Sequence, residues 1–246
     1  MRSLTRFLSF ALLLTSIPDS SYAESLPEFR PALLTNSRRS LVNLINTEGL
    51  MKHGQGNAIV MFSCGVSGGG YGYGMQVYRG SPNSELLTRE LLGRCSQAYF
   101  EPAVYRHNRM TVWINGTVSF SVVNGKPHLR IFLNQEEPDL THGNDFIAPQ
   151  FANVPGNPKF QGIYWPPGAP GHEGVASVTM DIDVTGKVLS AKVVYEYPPG
   201  MGFGAAVAGP IRDALFIPGF RNGKAVQCRF TWSLLFSGVG RQMKTG

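Results

Sequence analysis

Two runs of alternating apolar residues meet at a short glycine turn after Gly174, and that pattern predicts a β-hairpin. The chain reads Gly174-Val175-Ala176-Ser177-Val178-Thr179-Met180-Asp181-Ile182-Asp183-Val184, then Thr185-Gly186-Lys187, then Val188 to Val194. Side chains alternate between the two faces of a strand, so this period implies one buried and one wet face. A stretch rich in Gly and Ala follows, predicting a helix that Gly209-Pro210 interrupts. Phe216-Ile217-Pro218-Gly219 and Asn222-Gly223-Lys224 come next, and Val226 to Phe236 alternates again. The order β-β-α-β places the chain in the α+β class, as a small antiparallel sheet with a helix packed on one face.

The region 164–240 resembles the C-terminal domain of the TonB family, periplasmic proteins that couple the inner membrane to outer-membrane receptors. The resemblance rests on Tyr164-Trp165-Pro166-Pro167, Glu173-Gly174, Val184-Thr185-Gly186-Lys187-Val188, Phe216-Ile217-Pro218 and Asn222-Gly223-Lys224-Ala225-Val226, taken in order. It implies a non-catalytic module that binds an extended segment of a protein partner, in that family an outer-membrane receptor, by adding it to a sheet edge. The candidate edge is the last strand, with Gln227, Arg229, Thr231, Ser233 and Leu235 along it and Cys228, Phe230, Trp232 and Leu234 facing the helix. Capping of that edge by the tail or by another part of the chain is the alternative.

The first half follows the same plan. Ala58 to Val66 reads as a strand, Ser67 to Gly74 as a Gly-rich turn and Met75 to Tyr78 as the returning strand. Asn83 to Tyr99 predicts a helix, with Leu87, Leu91, Cys95 and Ala98 on one face and Asn83 or Ser84 as N-cap. Phe100-Glu101-Pro102-Ala103 then matches Phe216-Ile217-Pro218-Gly219, and Thr117 to Val122 alternates. Residues 57–135 therefore read as a second, drifted copy of the same module. Chance likeness between any two β-β-α-β stretches is the competing account.

Outside these modules, residues 1–23 carry Arg2 and Arg6, an apolar run from Phe7 to Ile17, and Ser21-Tyr22-Ala23. That is the layout of a secretory signal peptide cut after Ala23, which predicts a periplasmic or secreted protein. The alternative is an uncleaved anchor, giving a shortened TonB-type energy transducer for outer-membrane transport. Residues 24–56 predict one amphipathic helix around Leu41, Leu44 and Ile45. In 124–172, Leu129 to Leu133 extends the first sheet, and 136–163 reads as a Pro-rich, irregular linker.

With 43% hydrophobic and only 15% charged residues the chain reads as a packed globule, and 29 Gly with 17 Pro favour turns and strands over a helical bundle. The net charge of +6 is scattered, with Arg38-Arg39 the sole adjacent pair, which argues against a nucleic-acid stripe. His53, His107, His128, His142 and His172 are far apart in sequence, without metal-ligand spacing, so no metal and no cofactor are expected. Asp181 and Asp183 share strand parity and read as a solvent-facing pair. The Gly65–Gly74 turn lacks the Gly-Lys-Ser/Thr ending of a phosphate loop and reads as a flexible hairpin loop offering Tyr71 and Tyr73 for contact. An enzyme with a site between the modules is the third reading.

Three cysteines complete the picture. Cys64 falls on the first strand and Cys95 on the helix packed over it, so in an oxidising compartment they are the candidate disulfide, worth about 4 kcal/mol by loop-closure entropy. Two buried thiols filling the core is the alternative. Cys228 then reads as a buried strand residue, with pairing to another chain left open.

Overall fold

The computed structural model describes residues 25–133, 145–152, 160, 162–169, 171 and 173–237. The first half opens with β1 (Phe29–Arg30), β2 (Leu33–Leu34), α1 (Leu41–Leu44) and α2 (Thr47–Lys52). The hairpin β3 (Ala58–Val66) and β4 (Gly72–Gly80) follows, then α3 (Glu85–Arg94) and a 3₁₀ turn at Cys95–Gln97. β5 (Phe100–Glu101), β6 (Ala103–Tyr105) and β7 (Asn108–Met110) lead to the long β8 (Val112–Val123) and to β9 (Lys126–Phe132). The second half runs β10 (Phe146–Ile147), β11 (Gln150–Ala152), β12 (Gly174–Ile182), β13 (Val188–Tyr197) and α4 (Phe203–Ala208). After a 3₁₀ turn at Pro210–Asp213 come β14 (Leu215–Ile217), β15 (Gly219–Arg221), β16 (Lys224–Val226) and β17 (Cys228–Phe236).

The architecture is mixed α+β, and among the described residues every strand pairing is antiparallel. In the first half the order is β4-β3-β8, and in the second it is β13-β12-β17. The starts of β3, β4, β6, β7 and β8 meet those of β12, β13, β15, β16 and β17 at one shift of 116 positions, from Ala58 to Gly174 and from Val112 to Cys228. Minor pairings match as well: β6-β7 carries β1 at its side as β15-β16 carries β10, and β5 pairs β2 as β14 pairs β11.

Each half has its own core on the helix side. In the first, Val60, Phe62, Ile114, Val118 and Phe120 of the sheet meet Leu87 and Leu91 of α3. In the second, Ala176, Val178, Met180, Ile182, Phe230 and Trp232 meet Phe203, Ala206 and Val207 of α4. Full burial of a Phe or Leu side chain contributes about 1.5–3 kcal/mol, so these faces dominate the stability of the fold. Pro210 has no N–H to donate and cannot sit inside a helix, so α4 stops at Ala208 and the chain continues as the 3₁₀ turn.

Several expectations need correction. Residues 24–56 do not form one helix: α1 and α2 are separate, because Ile45 is extended and Asn46 caps α2 by accepting from the Gly49 N–H at 2.9 Å. Leu41, Ile45 and Leu50 join the same core as α3. The predicted helix from Asn83 to Tyr99 is shorter, since Asn83 is left-handed with φ 59° and the chain tightens to 3₁₀ at Cys95. Ser84 holds the N-cap position, yet its hydroxyl donates back to Ser81 O at 2.7 Å and caps no helix amide. Within the segment read as an irregular linker, β10 pairs β15, while β11 lies between β8 and β14. The leader 1–23, Glu136 to Asp139, Pro155, Pro158, Pro170, His142 and His172 lie outside the described residues.

Candidate functional site

The edge strand β17 is built by alternation. Phe230, Trp232 and Phe236 are buried on the helix side, while Arg229 is exposed and Thr231, Ser233 and Leu235 are half-buried; Gln227, expected on this edge, is exposed and lies before the strand, in the link from β16. Its register on β12 places Arg229 opposite Asp181, Thr231 opposite Thr179, Ser233 opposite Ser177 and Leu235 opposite Val175. The Arg229 guanidinium donates to both Asp181 carboxylate oxygens, at 2.9 and 3.2 Å, and the Thr and Ser hydroxyl pairs each meet at 2.8 Å. The outward side chains thus form a polar ladder with β12, and what β17 turns sideways is its backbone.

Electrostatics follow the ladder. Arg229, and then the Ser190 hydroxyl, hold the Asp181 carboxyl below its ordinary value, and Asp181 raises Arg229 in return. Asp183 is not a second member of an acid pair. Burial pushes its carboxyl up, but the Thr185 hydroxyl and the Lys187 and Thr185 amides outweigh that and leave it lowered. It closes the hairpin turn by accepting from Thr185 N at 2.8 Å and Lys187 N at 3.0 Å.

The Gly-rich stretch of the first half makes an equivalent hydrogen-bonded hairpin turn. Ser67 Oγ accepts from Tyr71 N at 3.0 Å, and Gly70 N donates to Ser67 O at 2.8 Å. Tyr71 packs edge-on against Tyr99 with Arg39 over its ring, and the Tyr73 ring lies on Gly65 and meets Trp113 edge-on at 5.7 Å. Both tyrosines are engaged, though about half-exposed.

The halves meet through aromatic rings that sequence reasoning missed. Phe151 on β11 stands opposite Trp113 on β8, stacks on Trp232 at 5.3 Å, and meets Phe216 edge-on. The signal was Phe146-Ile147-Ala148-Pro149-Gln150-Phe151, too short for a strand to be read without its partner.

One asymmetry between the sheets matters most. The outer side of β8 is filled, by β9 along Thr117–Val123 and by β11 at Val112–Trp113. Among the described residues β17 pairs only with β12, and β4 comes close to β17 without forming a ladder with it. The far edges, β4 and β13, carry no further strand among the described residues in either half. β13 is nevertheless apolar outside, with Val194, Tyr195 and Tyr197 all more than half exposed.

The structure does not show the disulfide expected between Cys64 and Cys95: both are buried thiols with Sγ atoms 3.1 Å apart. Cys228 is half-buried instead of buried, its Sγ lying over Gly219. Among the described residues no group of His, Cys, Asp or Glu could hold a metal ion, and no helix is long and apolar enough to cross a membrane. No known family, curated protein or solved structure matches the chain.

Proposed function

We propose that this chain is a non-catalytic periplasmic protein-binding protein built from two TonB C-terminal-like β-β-α-β modules. It recognises an extended partner segment by adding it to the edge of β17. The observation that carries the reading is the filled outer side of β8 beside the outer side of β17, which pairs with no strand among the described residues, the two strands starting at equivalent positions. Internal strands β9 and β11 act on the first sheet as a partner strand would act on the second. Unpaired backbone N–H and C=O groups supply the affinity, and side-chain spacing selects the partner. The same comparison favours β17 over β13, because β4, the strand equivalent to β13, takes no internal strand among the described residues.

Envelope proteins captured by the tagged chain supply the ligand, and hydrogen exchange locates it. Binding of a peptide from the captured partner should slow exchange of alternate amides between Arg229 and Leu235. Protection confined to β13, or none in β17 on saturation, refutes sheet-edge addition at this strand.

A further inference from the structure

We propose that Cys64 and Cys95 form a redox pair that closes as an intrachain disulfide, tying the turn after α3 to the first strand of the sheet. The inference stands on the core of the first half and is independent of the binding reading. Three observations carry it. The two Sγ atoms are 3.1 Å apart and both residues are nearly excluded from solvent, at 0% and 4% exposure. The backbone is arranged for this approach: a Cβ on Gly72 would lie 2.6 Å from Cys95 O and 3.3 Å from Cys95 Sγ, so only glycine lets the turn come so near β4. The second half places Met180 and Ile211 at the corresponding positions, 116 residues on, both fully buried in its core. Packing alone is thus met there by two apolar side chains, and the first half substitutes two thiols.

The chemistry needs a disulfide-bearing oxidant, a protein or a small molecule, acting before the core closes. One cysteine, as thiolate, attacks a sulfur of the oxidant, forming a mixed disulfide and releasing one oxidant thiol. The second then attacks the first cysteine's Sγ, the Cys64–Cys95 bond forms, and the second oxidant thiol leaves. Both electrons pass to the oxidant, which is reduced to two thiols.

The full chain, refolded with oxidised glutathione and then trapped by alkylation in denaturant, should label at two cysteines fewer than the reduced chain. Peptide mapping should join Cys64 to Cys95. Adding reductant should lower Tm by about 10 °C, the loop-closure effect spread over a chain of this size. The double variant Cys64→Met/Cys95→Ile, which copies the second half, should fold and show no reductant-dependent shift. A wild-type chain that keeps all its thiols under the oxidant, or a bridge that maps to Cys228, overturns the proposal. So does a reductant shift that survives in the double variant.

Discussion

Phe216 N donates to Gly186 O at 2.9 Å, fastening the strand after α4 to the hairpin turn that opened the module. Phe100 N makes the same bond to Gly70 O at 2.8 Å, and both glycines are left-handed, at φ 84° and 86°. A Cβ on Gly186 would fall 1.7 Å from Phe216 O, and one on Gly70 2.5 Å from Phe100 O, so the contact excludes any side chain. Gly186→Ala should therefore destabilise by about 3 kcal/mol or more, combining left-handed strain with a backbone clash. Gly223→Ala is the control: φ is 71° but nothing lies within 4 Å, so the cost should be about 1 kcal/mol. Urea midpoints at constant m-value compare the two, and equal losses would show that the strand contact adds nothing.

Asp181 offers a titration with a definite sign. Its carboxyl is lowered by Arg229 and Ser190, so its contribution to stability is fully present above the ordinary carboxylate pKa. That contribution is lost as pH falls through the lowered value. Arg229→Gln should move the Asp181 carboxyl back up, read by NMR titration of the side-chain carbon. An unmoved titration would mean that the ion pair does not form in solution.

Phe151 should behave as a joint between the halves, because its ring touches Trp232 and Phe216 of the second core while its strand pairs with β8. Phe151→Ala should cost about 3–5 kcal/mol. The near-ultraviolet signal should weaken as Trp232 loses its stacked neighbour. A loss below 1 kcal/mol would remove Phe151 from that role.

Asn115 sits on β8 at 4% exposure, and among the described residues neither its Oδ1 nor its Nδ2 has a hydrogen-bond partner. Replacing an unsatisfied buried amide by an apolar group of similar size removes a desolvation cost. Asn115→Leu should raise stability by about 1–2 kcal/mol in urea unfolding, and a loss would reveal a partner for the amide in solution.

Much of the fold was legible because period-two alternation and glycine turns are local. Gly174 to Ile182, Val188 to Tyr197 and the final strand all appear where the pattern puts them, and the outward parity of Arg229, Thr231 and Ser233 holds. The helix at Asn83 was overextended because helical spacing of Leu87, Leu91, Cys95 and Ala98 continues through a 3₁₀ turn. The turn around Gly70 is legible as a hairpin connection, but the close approach of its glycine to Phe100 is announced by no local pattern.

By itself, then, the sequence determined the long strands β3, β4, β12, β13 and β17, the faces they bury and where their hairpins turn, since steric preference and side-chain alternation act between near neighbours. Tertiary structure alone decided that β11 lies between β8 and β14, that it carries Phe151 into the second core and Ala152 into the first, and that β8 is covered where β17, among the described residues, pairs on one side. Strands of two or three residues have too few local interactions to specify a pairing. Their partners are fixed only by backbone groups and apolar surface brought together from distant parts of the chain.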